Sequence, residues 1–296
     1  MITPIDLSKL PAPRIIETLD FEQIFNEMRD DLIERDPSLE GMLALESEPL
    51  VKLLQVAAYR ELMLRQHHND RVRQLLLAYA TDEVLDHIGI SYFFTERLII
   101  EAGDPDATPP VPPTLENDDD YRRRLLLAPD RFSTAGSEAS YQYYALGTAA
   151  EVKDVTASSP SATQVIVAIL SREGTGAASA LLINQVQETL SAALVRPLTD
   201  HVQVVSADII SYQVSATLHI RPGPDPMVVR QSAIEAVTDF VERRHRLGSN
   251  IVRDAVLAAL YVEGVERVEL AHPVADITCS ATQAAHCSSV GVIVDG

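Results

Sequence analysis

The sequence predicts an α+β fold: an N-terminal long-helix region followed by two small α+β units with mixed or antiparallel sheets. Three observations predict it. Residues 45–80, LESEPLVKLLQVAAYRELMLRQHHNDRVRQLLLAYA, space apolar side chains at a helical period, with no glycine and, after Pro49, no proline. Residues 103–116, GDPDATPPVPPTLE, are a proline-rich break. Beyond residue 150, short alternating runs take turns with helical ones. Of the nine tyrosines and six phenylalanines only Tyr212, Phe240 and Tyr261 lie there, so that core must be aliphatic.

The elements follow in order. Residues 1–19 hold three prolines and read as an extended arm that could lay Leu7, Leu10, Ile15, Ile16 and Leu19 on another surface. Asp20 caps the next helix, with Gln23 placed for a capping box, and Asp36-Pro37 stops it. Ser47 caps the long helix, Glu48 suits its positive end and Pro49 fits its first turn. RQHHNDR, residues 65–71, is polar on every face. One continuous helix would then bridge through solvent or touch a partner, while two bundle helices would turn near His68. Thr81 caps a short helix ending near Gly89, and residues 103–116 are a stiff, extended connector. Short helices follow from Asn117 to Leu127 and from Gly136 to Leu146.

VKDVTAS (152–158) and TQVIVAIL (163–170) read as strands joined by a turn at Ser159-Pro160-Ser161. A helix from Ala177 to Leu194 and the strand HVQVVSA (201–207) complete a β-β-α-β unit. ISYQVSATLHI (210–220) opens a second unit, broken by RPGPDP (221–226). A helix over 227–246 ends at Gly248 as C-cap, and Ser249 or Asn250 caps a helix from Ile251 to Tyr261. VERVELA (265–271) is a strand, and VGVIVD (290–295) closes the sheet. The expected organisation is 1–102 as arm and helical bundle region, 103–150 as connector and short helices, 151–207 as the first α+β unit and 208–296 as the C-terminal one.

Composition narrows the function. A length of 296 residues suits about two domains. The net charge of −19 argues against nucleic acid and against anionic membranes, because both are held by Lys and Arg. No run is long enough to span a bilayer, and the start lacks a signal peptide's regions. Two cysteines make no disulfide framework, so a cytosolic origin is expected.

No constellation points to catalysis. His272, Cys279, His286 and Cys287 lie near one another but lack a tight zinc-ligand spacing. His67 and His68 project about 100° apart on a helix and do not converge on one metal. Asn117 to Asp120 resemble a cation site but lack the calcium-loop pattern, and read better as caps and dipole partners. Gly174-Thr175-Gly176 lacks the remainder of a phosphate-binding motif, and no G-x-S-x-G is present. No cofactor or required metal is expected.

Longer stretches carry a resemblance. IDLSKLPAPRIIETLDFEQI (5–24), LESEPLVKLLQVAAYREL (45–62), AGSEASYQYYALG (135–147) and VTASSPSATQVIVAILSREGTG (155–176) resemble the baseplate assembly protein J family of contractile-tailed bacteriophages, which also occurs in phage-tail-like bacteriocins. VRPLTDHVQV (195–204), YQVSATLHIRPGP (212–224), HRLGSNIVRDAVLAALYVEGVERVEL (245–270) and ADITCSATQAAHC (275–287) continue it in the same order. The resemblance implies a structural protein without catalytic residues. It implies assembly in the host cytoplasm and a final place in the tail baseplate. It implies as partners a second copy of the chain, a smaller wedge protein, neighbouring wedges, a sheath-attachment protein and the spike hub, with no nucleic acid and no membrane anchor. The expected bundle residues are Leu50, Leu54, Ala57, Leu62 and Leu64, with Val72, Leu76 and Tyr79 in the bundle or in the chain's own core. Another oligomeric ring or scaffold protein, or an enzyme built on the α+β units, are the alternatives.

Overall fold

A computed structural model describes residues 7, 10, 11, 13–133, 136–193, 195–223 and 225–295. Much of the predicted arm (1–6, 8, 9, 12), Leu194 at a predicted helix end and Pro224 in the predicted 221–226 turn fall outside the described residues. The chain divides into two compact units, Met1–Glu96 and Arg97–Gly296.

The first unit is helical. Asp20 caps α1 (Phe21–Arg35) by accepting the Gln23 N–H at 3.0 Å. Gln23 does not return the bond; its amide donates to Glu27 instead, at 2.8 Å. A 3-10 turn and the short α2 (Glu40–Leu43) lead to α3 (Pro49–Gln74), which packs against α1. Its N-cap is Glu48, one residue beyond the predicted Ser47, because Pro49 fixes the first helical φ and takes the N1 position. With 26 residues α3 is about 39 Å long and unbroken through His67 and His68. It ends six residues before Ala80, where the Gln74 side chain turns outward to accept the Thr81 N–H at 3.0 Å. α4 (Asp82–Phe93) runs past Gly89, a buried packing glycine, to the left-handed Phe94.

The polar middle of α3 has a partner in its own chain. Asn69 is buried, accepts the Glu17 N–H at 3.0 Å and donates to the Glu17 carbonyl at 2.9 Å. The Tyr79 hydroxyl donates to the Leu10 carbonyl at 2.8 Å. The amide of Asn69 thus reads the arm's backbone as a neighbouring strand would. Asn69→Leu should lose both bonds, at about 1–3 kcal/mol. Trypsin should then cut after Arg14 faster than in the parent, and an unchanged rate would sink this account of the arm.

The second unit starts with an antiparallel ribbon, β1 (Ile99–Glu101) with β2 (Thr114–Leu115). Asp104 and Val111 exchange both backbone hydrogen bonds at 2.9 Å. The proline-rich stretch therefore doubles back and is not an extended connector. Gly103, at φ +69°, makes this possible, since a Cβ there would sit 2.6 Å from the Val111 carbonyl oxygen. Two short helices follow, α5 (Asp118–Leu127) capped by Asn117 and α6 (Glu138–Leu146) capped by Ser137.

The central layer is a three-stranded sheet ordered β3-β4-β5. β3 (Val152–Ser161) and β4 (Gln164–Ser171) form a hairpin that turns at 162–163, later than predicted, because Ser159 to Ser161 continue the edge strand. α7 (Ala180–Ser191) ends short of the predicted limit and crosses to β5 (His201–Ser206), which lies parallel to β4. Leu182, Val186 and Leu190 of α7 join Val165, Val167 and Ile169 of β4 and Tyr141 of α6 in one aliphatic-rich core.

A single residue, Ala207, separates β5 from β6 (Asp208–Ile220), the middle strand of a second sheet ordered β7-β6-β8. α8 (Pro226–Arg244), α9 (Arg253–Leu260) and β7 (Val265–His272) follow, and β8 (Gln283–Asp295) closes the sheet. β8 is parallel to β6 from Asp208 beside Gln283 to His219 beside Asp295. Only its second half was legible, because QAAHCSS does not alternate and the register shifts opposite Tyr212–Gln213. The predicted caps also move. α8 ends on His245, and Gly248 lies beyond it, donating to the Gln283 carbonyl at 2.8 Å. Asp276 accepts the Arg253 N–H at 2.8 Å and does the capping expected of Ser249 or Asn250, while Asn250 accepts from Cys279. The core of this layer joins Val214, Ala216 and Leu218 of β6 to Val229, Ala233 and Val237 of α8 and Val256 and Leu260 of α9.

Candidate assembly surfaces

Within the second unit, the two layers are joined by charge. Asp120, in the first turn of α5, is buried and accepts from Arg172 after β4 at 2.8 Å and from Arg246 after α8. Burial alone would push its carboxyl up, but the two guanidiniums outweigh burial and hold it below the usual range. Arg246 also donates to the Lys153 carbonyl at 3.1 Å. Asp154, equally buried, pairs with Arg123 at 2.6 Å and accepts the Leu247 N–H at 2.9 Å. A small apolar cluster of Ala168, Leu170, Ala207, Leu247 and Ala284 fills the space between the sheets. The Asn117–Asp120 run thus acts as predicted at its first position, where Asn117 caps α5 at 2.9 Å. Its last residue is a tie between distant segments, which sequence spacing could not show.

Beside this joint lies a pocket of about 260 Å³ lined by Lys153, Glu242, His245, His286 and Cys287 among others. The His245 and His286 rings meet edge to face at 5.3 Å. Lys153 Nζ lies 3.1 Å from His245 Nδ1, so that nitrogen accepts from the ammonium. Burial first, then Lys153 and His286, push His245 down to about 4, while the Thr175 backbone pulls weakly the other way. Burial likewise raises the free thiols of Cys279 and Cys287. Among the described residues no group of three or more His, Cys, Asp or Glu could hold a metal ion.

His245 gives a prediction with a definite sign. Its folded value of about 4 lies below that of an unfolded histidine, about 6.5. The unfolded chain therefore takes up the proton first as pH falls. The stability due to the neutral ring is complete above about pH 6.5 and is lost progressively down to about 4. His245→Gln should flatten the fall of the thermal midpoint across that window; parallel curves for the two proteins would refute the assignment.

In the first unit, α3 carries two apolar faces. Val51 and Ala58 are buried on the side that meets α1, with Leu54 and Leu62 half-buried beside them. On the opposite side Leu53, Val56, Ala57, Met63 and Leu64 recur at helical spacing, and Leu53, Val56 and Leu64 are 65%, 59% and 53% exposed. A shallow groove of about 550 Å³ runs alongside, lined by Phe21, Lys52, Gln55, Val56, Tyr59 and Arg60. Of the residues singled out from the sequence, Leu50, Leu54, Leu62, Val72, Leu76 and Tyr79 are half-buried, and Ala57 and Leu64 are exposed. Leu53, Val56, Tyr59 and Met63, which are exposed, are not among the expected bundle residues. Their signal was present, since residues 50–64 are apolar on two sides and one neighbouring helix can cover only one.

The first unit thus leaves α3 bare along one face, and the second fuses two helix-and-sheet layers through buried charge, with no catalytic constellation among the described residues singled out above. Comparison with known proteins gives the family. Residues 46–104 match the Baseplate J-like N-terminal domain, 133–206 the Baseplate J-like central domain and 212–293 the Baseplate J-like protein C-terminal domain. Over 297 aligned residues the chain is 44% identical to baseplate protein J of Escherichia phage P2, covering 99% of this chain and 98% of that one. The chain belongs to the baseplate J family, a family of structural proteins of the phage tail baseplate. Among the described residues no helix is long and apolar enough to cross a membrane.

Proposed function

We propose that the chain is a wedge subunit of a contractile-tail baseplate. Its helical unit joins a bundle with a smaller wedge protein and a second copy of the chain. Neighbouring wedges, through the C-terminal layer, close a ring around the spike hub, and a sheath-attachment protein binds above them. The role is scaffolding and not catalytic. Assembly takes place in the host cytoplasm, and the mature location is the baseplate of a virion or bacteriocin particle. The observation that carries this reading is the three-part family match across the chain, together with an apolar stripe on α3 that its own unit leaves uncovered. The test is to purify the chain with its neighbouring tail proteins and image the complex by electron microscopy. Two copies of this chain with one smaller protein in each wedge is the expected result. Density for the chain outside the baseplate would overturn the proposal.

A further inference from the structure

The bare face of α3 has a charge as well as a shape. α3 carries Lys52, Arg60, Arg65, Arg71 and Arg73 against Glu61 and Asp70, five basic residues to two acidic, in a chain whose net charge is −19. Both acids are engaged within the helix, Glu61 with Arg65 at 2.8 Å and Asp70 with Gln66 at 2.8 Å and Arg73 at 3.7 Å. Lys52, Arg60 and Arg71 are exposed and make no ion pair among the described residues. On the helix surface Arg60 and Arg71 share the side of Leu53, Val56, Ala57, Met63 and Leu64, with Lys52 at its margin. Asp70, about five turns on from Lys52, lies at that same margin but is already paired, and Glu61 lies toward the covered face.

The spacing is that of a helix-packing seam. Leu53, Arg60 and His67 repeat every seven residues, and Val56 and Met63 follow the first two by three. An arginine inside such a seam calls for a carboxylate on the facing helix, because a guanidinium packed among apolar side chains without a partner is costly. A second copy of α3 does not supply it. Two-fold packing through this face would set Arg60 and Arg71 against the same basic residues. The first three turns offer no acid to answer them.

We infer that the outer face of α3 receives an acidic amphipathic helix from a different chain, its apolar stripe on Leu53, Val56, Met63 and Leu64 and its carboxylates on Lys52, Arg60 and Arg71. The inference rests on the wedge reading for its setting and adds to it the face used and the chemistry of the partner. Charge complementarity of this kind sets register and partner choice more than it adds affinity.

The test uses the full chain and two synthetic helical peptides with leucine at the same heptad positions, flanked in one by glutamate and in the other by lysine. Fluorescence anisotropy reads binding. The parent should bind the glutamate peptide at least roughly tenfold more tightly than the lysine peptide, and the preference should shrink as salt is raised. The double variant Arg60→Glu with Arg71→Glu should reverse it. Both positions are exposed, and circular dichroism verifies the fold. Should the variant misfold, the two peptides against the parent, with their salt dependence, still decide. Equal binding, binding of neither peptide, or self-association of the chain that Met63→Asp abolishes would each overturn the inference. The wedge reading has a separate readout, the position of the chain in micrographs of intact tails, so the two can fail independently.

Discussion

Asp120→Ala is expected to destabilise the second unit by about 3 kcal/mol, the low end of the range for breaking a buried ion pair. The low end applies because the Arg172 and Arg246 side chains are each about a fifth to a quarter exposed and can turn to water. The carboxylate between them is 5% exposed and is their shared counter-ion. Without it, Arg172, Arg246 and Lys153 crowd together, and Lys153 is already held below its usual value by burial and by Arg246. Denaturant unfolding of the full chain measures the loss. Asp120→Asn should lie between the parent and the alanine variant, since it keeps the shape and one acceptor oxygen but loses the charge and turns the other acceptor into a donor. A loss under about 1 kcal/mol for Asp120→Ala would mean that the small apolar cluster, and not the ion pairs, holds the layers together.

The second large effect separates the two faces of α3. Leu54→Ala with Leu62→Ala removes half-buried side chains on the α1 side, so the isolated chain should lose stability, toward the lower end of about 2–5 kcal/mol per site. Leu53→Asp with Met63→Asp changes only exposed positions, and the isolated chain should stay within about 0.5 kcal/mol per site of the parent. The assembly phenotypes should run the other way. The aspartate pair should yield soluble protein and no contractile tails, because it places two charges in the apolar stripe. If tails form normally with the aspartate pair, the outer face is not an assembly surface, whatever the alanine pair does.

The sequence made the type of most elements legible because their periods are clean. β4 and β6 alternate or are solidly apolar, and α7 repeats Leu182, Val186 and Leu190 at helical spacing. It misplaced ends wherever the deciding contact is remote. Asp276 caps α9 from 23 residues away, and Asp120 holds Arg246 across 126. No local pattern encodes such pairs. The long helix shows a different limit. Periodicity reported that residues 50–64 are apolar, but not which of two stripes the chain would use itself. That choice was made by α1, lying on Val51 and Ala58, and it left Leu53, Val56 and Met63 outside. The polar stretch after them is explained only in part by a partner, since Asn69 is occupied by the chain's own arm.

The strand order of the C-terminal layer has a consequence for force. β6 and β8 run side by side in the same direction, with Asp208 beside Gln283 at one end and His219 beside Asp295 at the other. Tension applied at Asp208 and at Asp295 therefore acts at opposite ends of the ladder, and its hydrogen bonds share the load at once. β6 and β7 run in opposite directions, with Ile220 beside Val265. Tension applied at those two residues opens the pair from one end, a bond at a time. The same small sheet is thus strong against shear along one pair of strands and weak against peeling along the other, and a machine that pulled on it would find a grain, as in wood.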